Sequence, residues 1–405
     1  MSALFLFIGV ATACLSQSPL PNDVGTSRFG VLQQDMQFEF DGAWIRPHPG
    51  PFIWGWVERM AGHYDWRETD STVEKLQGMR LAILATIWPF AHWDQMACHA
   101  NQPRAEGAFG EFGNLLYMPC DLNAYASWVS ALVERYDGDG IDDMPDLQYP
   151  IKHWEVSNEP EMQGPDLCFF QEPPERYVEL LSVTRMAIGR ADPSAVVVLG
   201  GQAGMHPEAV DYWRPILQDE RTAYDIANIH SINCSDVQQD AAFWAPEYVA
   251  FLEENGRSSD PFWITESATG SMDPRHKLAN VIDADDRNAQ SRFIGTVVAF
   301  AEGAERIFHC VAFDPRGKKP QQEVGVFNLL GSVIGGFVEA ARIAPSAVRF
   351  SQPSGTFVYA LWDGARMPQS ETGLFTVTTC LGETSVQDAR SIRADRPVLV
   401  QRVDP

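Results

Sequence analysis

The chain has 405 residues, 45% of them hydrophobic and 21% charged, and a formal net charge of −24. That length admits one large α/β domain with an appendage, and the composition excludes a disordered or fibrous chain. So acidic a surface repels phosphates, which excludes nucleic acid as a partner.

In chain order, Ala3-Leu4-Phe5-Leu6-Phe7-Ile8-Gly9-Val10 is an apolar run of secretory-leader length, too short to span a bilayer. Ala11-Thr12-Ala13 supplies the small residues of a cleavage site. A signal peptide over residues 1–13 and a linker over 14–27 are expected, with a secreted or cell-envelope location. Cys14 at this point resembles a bacterial lipoprotein processing site and a lipid anchor, although Ala11 stands where Leu is usual and no Lys or Arg precedes the run. No other stretch reaches ~18 uninterrupted apolar residues, so no transmembrane span is expected in the mature chain.

Apolar runs of strand length then alternate with longer amphipathic stretches, the pattern of parallel strands joined by crossover helices. Strands are predicted at Phe29–Leu32, Ala43–Arg46, Leu81–Ile87, Ile151–Val156, Ala195–Leu199, Ile226–His230, Phe262–Thr265 and Arg306–Ala312. Helices are predicted at Ser71–Met79, Asn123–Tyr136, Pro174–Arg190, Pro207–Leu217, Ala245–Asn255 and Asn288–Gly303, with a last one over Val324–Ile343. Eight strands close naturally into a (β/α)8 TIM barrel over residues 28–345. The weak point is the short gap between Phe29 and Trp44, which leaves little room for a first helix. From Phe350 the pattern alternates, and Thr356–Trp362, Leu374–Thr378 and Pro397–Val403 predict a small C-terminal β-structure over residues 346–405, packed on the barrel.

Two predicted strands end on a carboxylate. Ile151 to Val156 runs into Ser157-Asn158-Glu159-Pro160, where proline cannot donate to a ladder. Pro261-Phe262-Trp263-Ile264-Thr265-Glu266-Ser267 ends likewise. The carboxyl ends of barrel strands form the active-site face, and a carboxylate pair there suits glycosidic bond cleavage, with one acid at the leaving oxygen and one group across the sugar. Aromatic residues crowd the strand-to-helix loops (Trp54, Trp56, Trp88, Phe90, Trp93 and Trp244, with His92) as candidate sugar-stacking platforms, with Trp88 and His92 the first choices. Tyr136-Asp137-Gly138-Asp139-Gly140-Ile141-Asp142-Asp143 is half of a calcium loop without its terminal Glu. Two readings stay open there: a structural calcium ion on Asp137, Asp139 and Asp143, or a solvated acidic turn. Apart from Cys14, six cysteines permit disulfides in an exported protein, and Cys98–Cys120 is the favoured bridge because the two bracket one loop.

Asn158-Glu159-Pro160 on a fourth strand and Trp263-Ile264-Thr265-Glu266 on a seventh, with Trp44-Ile45-Arg46-Pro47-His48-Pro49 on the second and His230 ending the sixth, resemble glycoside hydrolase clan A, the retaining (β/α)8 glycosidases. The look is nearest family 39, with family 5 as rival, and covers roughly Arg28 to Ala312. The resemblance implies Glu159 as acid/base and Glu266 as nucleophile. It also implies Asn158 on the sugar 2-hydroxyl, Arg46 beneath the nucleophile, His230 on the floor near Glu266, an oligo- or polysaccharide substrate and no cofactor. Ile232 stands where many members carry an aromatic, and Phe308 to Phe313 offers no tryptophan at the end of the eighth strand. Those departures keep a non-catalytic glycan-binding barrel as the alternative, and a cell-surface scaffold as a third reading.

Overall fold

A computed structural model describes residues 24–32, 43–108, 110–232, 242–268, 286–310 and 321–403. The expected leader with Cys14, most of the linker, Cys234 and the end of the eighth predicted strand lie outside the described residues.

The chain runs β1 (Phe29–Leu32), β2 (Trp44–Arg46), α1 (Trp54–Val57), α2 (Arg67–Gly78), β3 (Ala82–Ile87), α3 (His92–Cys98), α4 (Leu122–Glu134), β4 (His153–Val156), α5 (Pro174–Ala191), β5 (Val196–Leu199), α6 (Pro207–Gln218), β6 (Ala227–Ser231), α7 (Ala245–Glu254), β7 (Phe262–Ser267), α8 (Asp286–Ala301), β8 (Arg306–Cys310) and α9 (Gln321–Ile334). A C-terminal part follows: β9 (Glu339–Ala344), β10 (Ala347–Ser351), β11 (Phe357–Leu361), β12 (Ala365–Arg366), β13 (Leu374–Thr379), β14 (Thr384–Asp388), β15 (Arg393–Ala394) and β16 (Val398–Arg402). The first eight strands form one parallel sheet in the order β5-β4-β3-β2-β1-β8-β7-β6. Parallel bridges Val198↔Ile226 and Gln202↔Ile229 join its two edges. This is the expected (β/α)8 barrel.

Local sequence explains its helices. Asp121 caps α4 by accepting from the Asn123 and Ala124 amides, and prolines open α5 and α6, where the missing N–H costs nothing. The first strand is where expected, since Gly30 pairs with Trp44 despite the short connection. A Cβ at Gly30 would lie 2.4 Å from the Phe308 ring, so only glycine lets β1 approach the interior.

Side chains alternate along each strand, so every second residue points into the barrel. Trp44, Leu84, Val198, Trp263 and Phe308 pack there as an apolar layer. The Arg306 guanidinium lies over Trp44 at 4.5 Å and over Trp263 at 4.8 Å. Two positions further along the strands the inward residues change character: Arg46 follows Trp44, Thr86 follows Leu84, Glu155 follows His153, Asn228 follows Ile226, and Thr265 follows Trp263. All five of these polar residues are buried. The barrel interior is therefore apolar at its amino-terminal half and charged at its carboxyl half.

The last helix is shorter than predicted. It ends at Ile334 before Gly335-Gly336, and the apolar stretch after it turns into β9. Alanine, valine and isoleucine in that stretch suit either state, and the paired glycines decide it. Six strands make an antiparallel sheet in the order β14-β13-β16-β11-β10-β9, with β9, β10 and β14 added to the three predicted. One face joins the barrel core through Val348, Phe350, Val358, Ala360 and Leu399. The other carries its own small core of Tyr359, Leu361, Phe375, Val377 and Val400. Arg28 ties the two parts together, with its guanidinium 4.3 Å from the Phe337 ring and its Nε donating to the Phe337 carbonyl at 3.1 Å. Among the described residues, no helix is long and apolar enough to cross a membrane.

Candidate active site

Strand β4 ends at Val156, earlier than the proline at position 160 requires. The cause is the backbone at Ser157, which turns left-handed at φ 64°, and again at Glu159 at φ 37°. Non-glycine residues rarely adopt these angles, and such strain gathers at functional sites. The turn is held by the Glu159 amide donating to the Gly201 carbonyl at 3.1 Å. Glycines 200 and 201 make that approach possible, since a Cβ at Gly201 would fall 1.8 Å from His230 Nε2. Leu199-Gly200-Gly201-Gln202 is thus the fifth barrel loop.

Glu159 and Glu266 meet over the carboxyl end of the barrel. One oxygen of each and a ring nitrogen of His230 all lie within 4.8 Å of one another. His230 Nδ1 is 2.8 Å from Glu159 Oε1 and 3.8 Å from Glu266 Oε1. Arg46 lies below: its Nη1 donates to Glu266 Oε1 at 2.5 Å, its Nε to Glu155 Oε2 at 2.6 Å and its Nη2 to Asn158 Oδ1 at 2.6 Å. Asn158 Nδ2 is buried with no hydrogen-bond partner among the described residues. The predicted Glu159, Glu266, Asn158, Arg46 and His230 therefore come together. His230 sits closer to Glu159 than to Glu266, the reverse of the expected placement.

The proton positions follow from the bonds. Thr265 Oγ1 lies 2.9 Å from Asn228 Oδ1 and 3.1 Å from Glu155 Oε1, both pure acceptors, so its own hydrogen points to them. It must then accept from His230 Nε2, 2.9 Å away. Burial pushes His230 down to about 4, so the imidazole is neutral, with a bare Nδ1 facing Glu159. That nitrogen is satisfied only if Glu159 carries a proton and donates it, an assignment made from the network. Burial likewise pushes Glu159 up to about 7, with Arg46 opposing and Glu155 adding to the rise. Burial also raises Glu266, against the pull of His230 and Arg46. Of the two, only Glu266 bonds the guanidinium, so ionisation favours Glu266. Burial works against the Arg46 charge too, but Glu155 and Glu266 outweigh it and raise Arg46. His48, 3.9 Å from Glu266 at its Nδ1, is held neutral by burial and by Arg46.

Several functional neighbours escaped the sequence reading. Glu155 sits in mid-strand with no exposure and accepts from Arg46, from Thr86 Oγ1 at 2.5 Å and from Asn228 Nδ2 at 2.7 Å. A charged residue inside a four-residue buried strand was the available signal. Glu161 accepts from the Ala203 amide at 2.6 Å, and burial pushes it up to about 8.

Trp88 is corrected. It is fully buried, donates from Nε1 to the Pro49 carbonyl and packs on Phe112 with ring centroids 4.3 Å apart, so it is core and not an open platform. His92 is exposed at the start of α3, and no hydrogen bond of the carboxylate cluster reaches it. The acidic turn brings Asp137, Asp139 and Asp143 oxygens within 4.8 Å of one another. Its carboxylates already accept backbone N–H groups: Asp143 from Gly138 and Gly140, Asp137 from Asp139, and Asp139 from Ile141. The Cys98–Cys120 disulfide is present, with Cα atoms 5.9 Å apart, while Cys168 and Cys310 are free thiols.

No family model matches the chain, and no curated protein does. Solved structures do. A family 51 α-L-arabinofuranosidase from Thermotoga petrophila RKU-1 is 10% identical with a TM-score of 0.58, over 89% of this chain and 87% of that one. A family 30 subfamily 8 xylanase from Clostridium acetobutylicum is 14% identical at 0.56, over 89% of both chains. A glucosidase from Croceicoccus marinus is 15% identical at 0.54, over 85% and 84%. The chain shares their fold. At these identities the likeness is one of architecture, and chemistry must be argued from the side chains.

Proposed function

We propose that the protein is a retaining glycoside hydrolase acting on an oligo- or polysaccharide, with Glu266 as nucleophile and Glu159 as acid/base. One observation carries this: two buried carboxyls within 4.8 Å, one bonded to a guanidinium and the other to a neutral imidazole. Retaining enzymes need carboxyls ~5–5.5 Å apart. A Glu266 oxygen attacks the anomeric carbon while the bond to the leaving oxygen breaks, and Glu159 passes its proton to that oxygen. Glu159, now a carboxylate, then takes a proton from water. The water oxygen attacks the same carbon and breaks the ester to Glu266. Asn158 Nδ2, without a partner among the described residues, is the donor offered to the sugar 2-hydroxyl. The glycosidase neighbours support this chemistry by architecture, and the departures at Ile232 and Phe308 bear on which sugar fits. Export belongs to the same proposal, supported by the leader pattern of residues 1–13 and by the disulfide; fractionation of cells expressing the full chain tests it.

The enzymatic test is a panel of aryl and natural glycosides with product anomers followed by NMR. Retention at the anomeric carbon is expected. Glu266→Gln should abolish turnover, and Glu159→Ala should slow natural substrates more than activated aryl glycosides. Inverted product, or unchanged rates in both variants, would refute the assignment.

A further inference from the structure

Glu155 is the unassigned group at the centre of the site. Its two oxygens receive three donors from other strands, Arg46 Nε of β2 and Thr86 Oγ1 of β3 on Oε2 and Asn228 Nδ2 of β6 on Oε1, and Oε1 also shares the single Thr265 hydroxyl hydrogen of β7 with Asn228 Oδ1. Both oxygens therefore act as acceptors, and Oε2 is ion-paired with Arg46 at 2.6 Å. Each oxygen then leads to a different catalytic carboxyl. From Oε2 the path is Arg46 Nε, then Arg46 Nη1, then Glu266 Oε1 at 2.5 Å. From Oε1 it is Thr265, then His230 Nε2 at 2.9 Å, then Nδ1 to Glu159 at 2.8 Å.

We propose that Glu155 is the positioning residue that assigns opposite protonation states to Glu159 and Glu266, a role that rests on reading those two as acid/base and nucleophile. It acts in two ways. As an acceptor it shares with Asn228 Oδ1 the commitment of the Thr265 hydrogen and holds Asn228 Nδ2, which orients Asn228 Oδ1 to that hydrogen, fixes the His230 tautomer and leaves Nδ1 to receive the Glu159 proton. As a charge it shares Arg46, so that Glu266 is held ionised without being fully neutralised, which preserves its basicity. The ionisable groups of the cluster are Arg46 of β2, His48 just after it and 3.9 Å from Glu266, Glu159 and its electrostatic neighbour Glu161 beyond β4, Tyr177 of α5 (whose hydroxyl donates to the Val156 carbonyl at 2.9 Å), His230 of β6, Glu266 of β7 and Cys310 of β8, which feels Glu266 and Arg46. The partners of Glu155 in the neighbouring strands β3 and β5, Thr86 and Val198, do not titrate. Burial dominates the upward displacement of Glu159, and the Glu155 charge adds to it; burial also dominates the lowering of His230, which Glu266 and, to a smaller extent, Glu155 oppose.

The test uses the full protein labelled with carboxyl-13C glutamate, with the Glu159 resonance identified by its loss in Glu159→Gln. Glu155→Gln should lower the Glu159 titration midpoint by about one pH unit. The alkaline limb of kcat/KM should move in the same direction. Glu155→Asp, which keeps the charge, should leave the midpoint near the wild-type value even if kcat falls. A folded Glu155→Gln protein with an unchanged midpoint overturns the proposal. So does failure of both variants to fold, which would make Glu155 scaffold alone. Wild-type protein that cleaves no glycoside while the midpoint still falls would instead overturn the hydrolase assignment and leave the role of Glu155 in the proton network standing.

Discussion

A general acid kept protonated by burial costs the folded state something once the solvent favours the anion. Glu159 is displaced from its ordinary 4.5 to about 7 in the folded protein. Unfolded, it ionises near 4.5; folded, it keeps its proton to about pH 7. Between those values the native state binds one more proton than the unfolded state, so stability falls as pH rises. At about 1.4 kcal/mol per pH unit the loss attributable to Glu159 is about 3 kcal/mol, all of it incurred between pH ~4.5 and ~7. Glu159→Gln has no such titration and can keep a hydrogen bond to His230 Nδ1 through its amide. Relative to wild type, it should therefore gain about 3 kcal/mol between pH 4.5 and pH 8, read from urea unfolding across that range. Glu161 is raised by burial and further by the Glu159 charge, so the variant also relieves part of the Glu161 slope, which adds to the gain in the same direction. A variant-minus-wild-type difference that stays flat from pH 4.5 to 8 would refute the account of a buried, proton-holding Glu159.

Three further outcomes follow from the same contacts. Arg46→Met leaves Glu155 and Glu266 buried without their cation and should cost about 3–5 kcal/mol in urea unfolding, with loss of turnover; a cost below ~1 kcal/mol would show that the cluster is not held by Arg46. Gly201→Ala puts a Cβ where His230 Nε2 now sits, and should lower kcat/KM about 100-fold by displacing that ring; an unchanged rate would remove His230 from the proton network. The Cys98→Ser/Cys120→Ser double variant opens a loop with a sequence separation of 22, and should lose about 3 kcal/mol by the chain-entropy estimate while keeping its pH–rate profile. Unchanged stability in the double variant would mean that α3 and its loop hold their place without the bridge.

The strands were legible because parallel barrel strands are covered on both faces and read as continuous apolar runs. The helices were legible through their caps and opening prolines. The tail was harder. Glu339–Ala344 has the composition of the helix before it, and only Gly335-Gly336 marks the change. In the site, Glu159, Glu266, Arg46 and His230 stood out because a polar residue ending an apolar run is conspicuous. Glu155, Thr86, Asn228 and Thr265 were missed because they lie inside the runs. Their inward orientation is a matter of period-2 parity, and their convergence depends on the register that sets Thr86 opposite Glu155. Trp88 failed as a platform for a related reason: sequence places it after a strand, but whether its face is open depends on Phe112 and Phe169, which come from other loops.

The sheet behind the barrel bears on how the gene product can be cut. In sequence the tail begins near residue 346 as a small β-structure packed on the barrel. In space Phe337 packs edge-on against Phe300 of α8 on one side and Phe350 of β10 on the other, at 5.0 and 5.1 Å. A shortened chain ending before β10 would present Phe337, Ile334 and the Arg28 anchor to water, creating a sticky apolar surface on an otherwise intact barrel. Expression trials, homologue recombination and domain grafting should therefore treat the barrel and its sheet as one inheritable block.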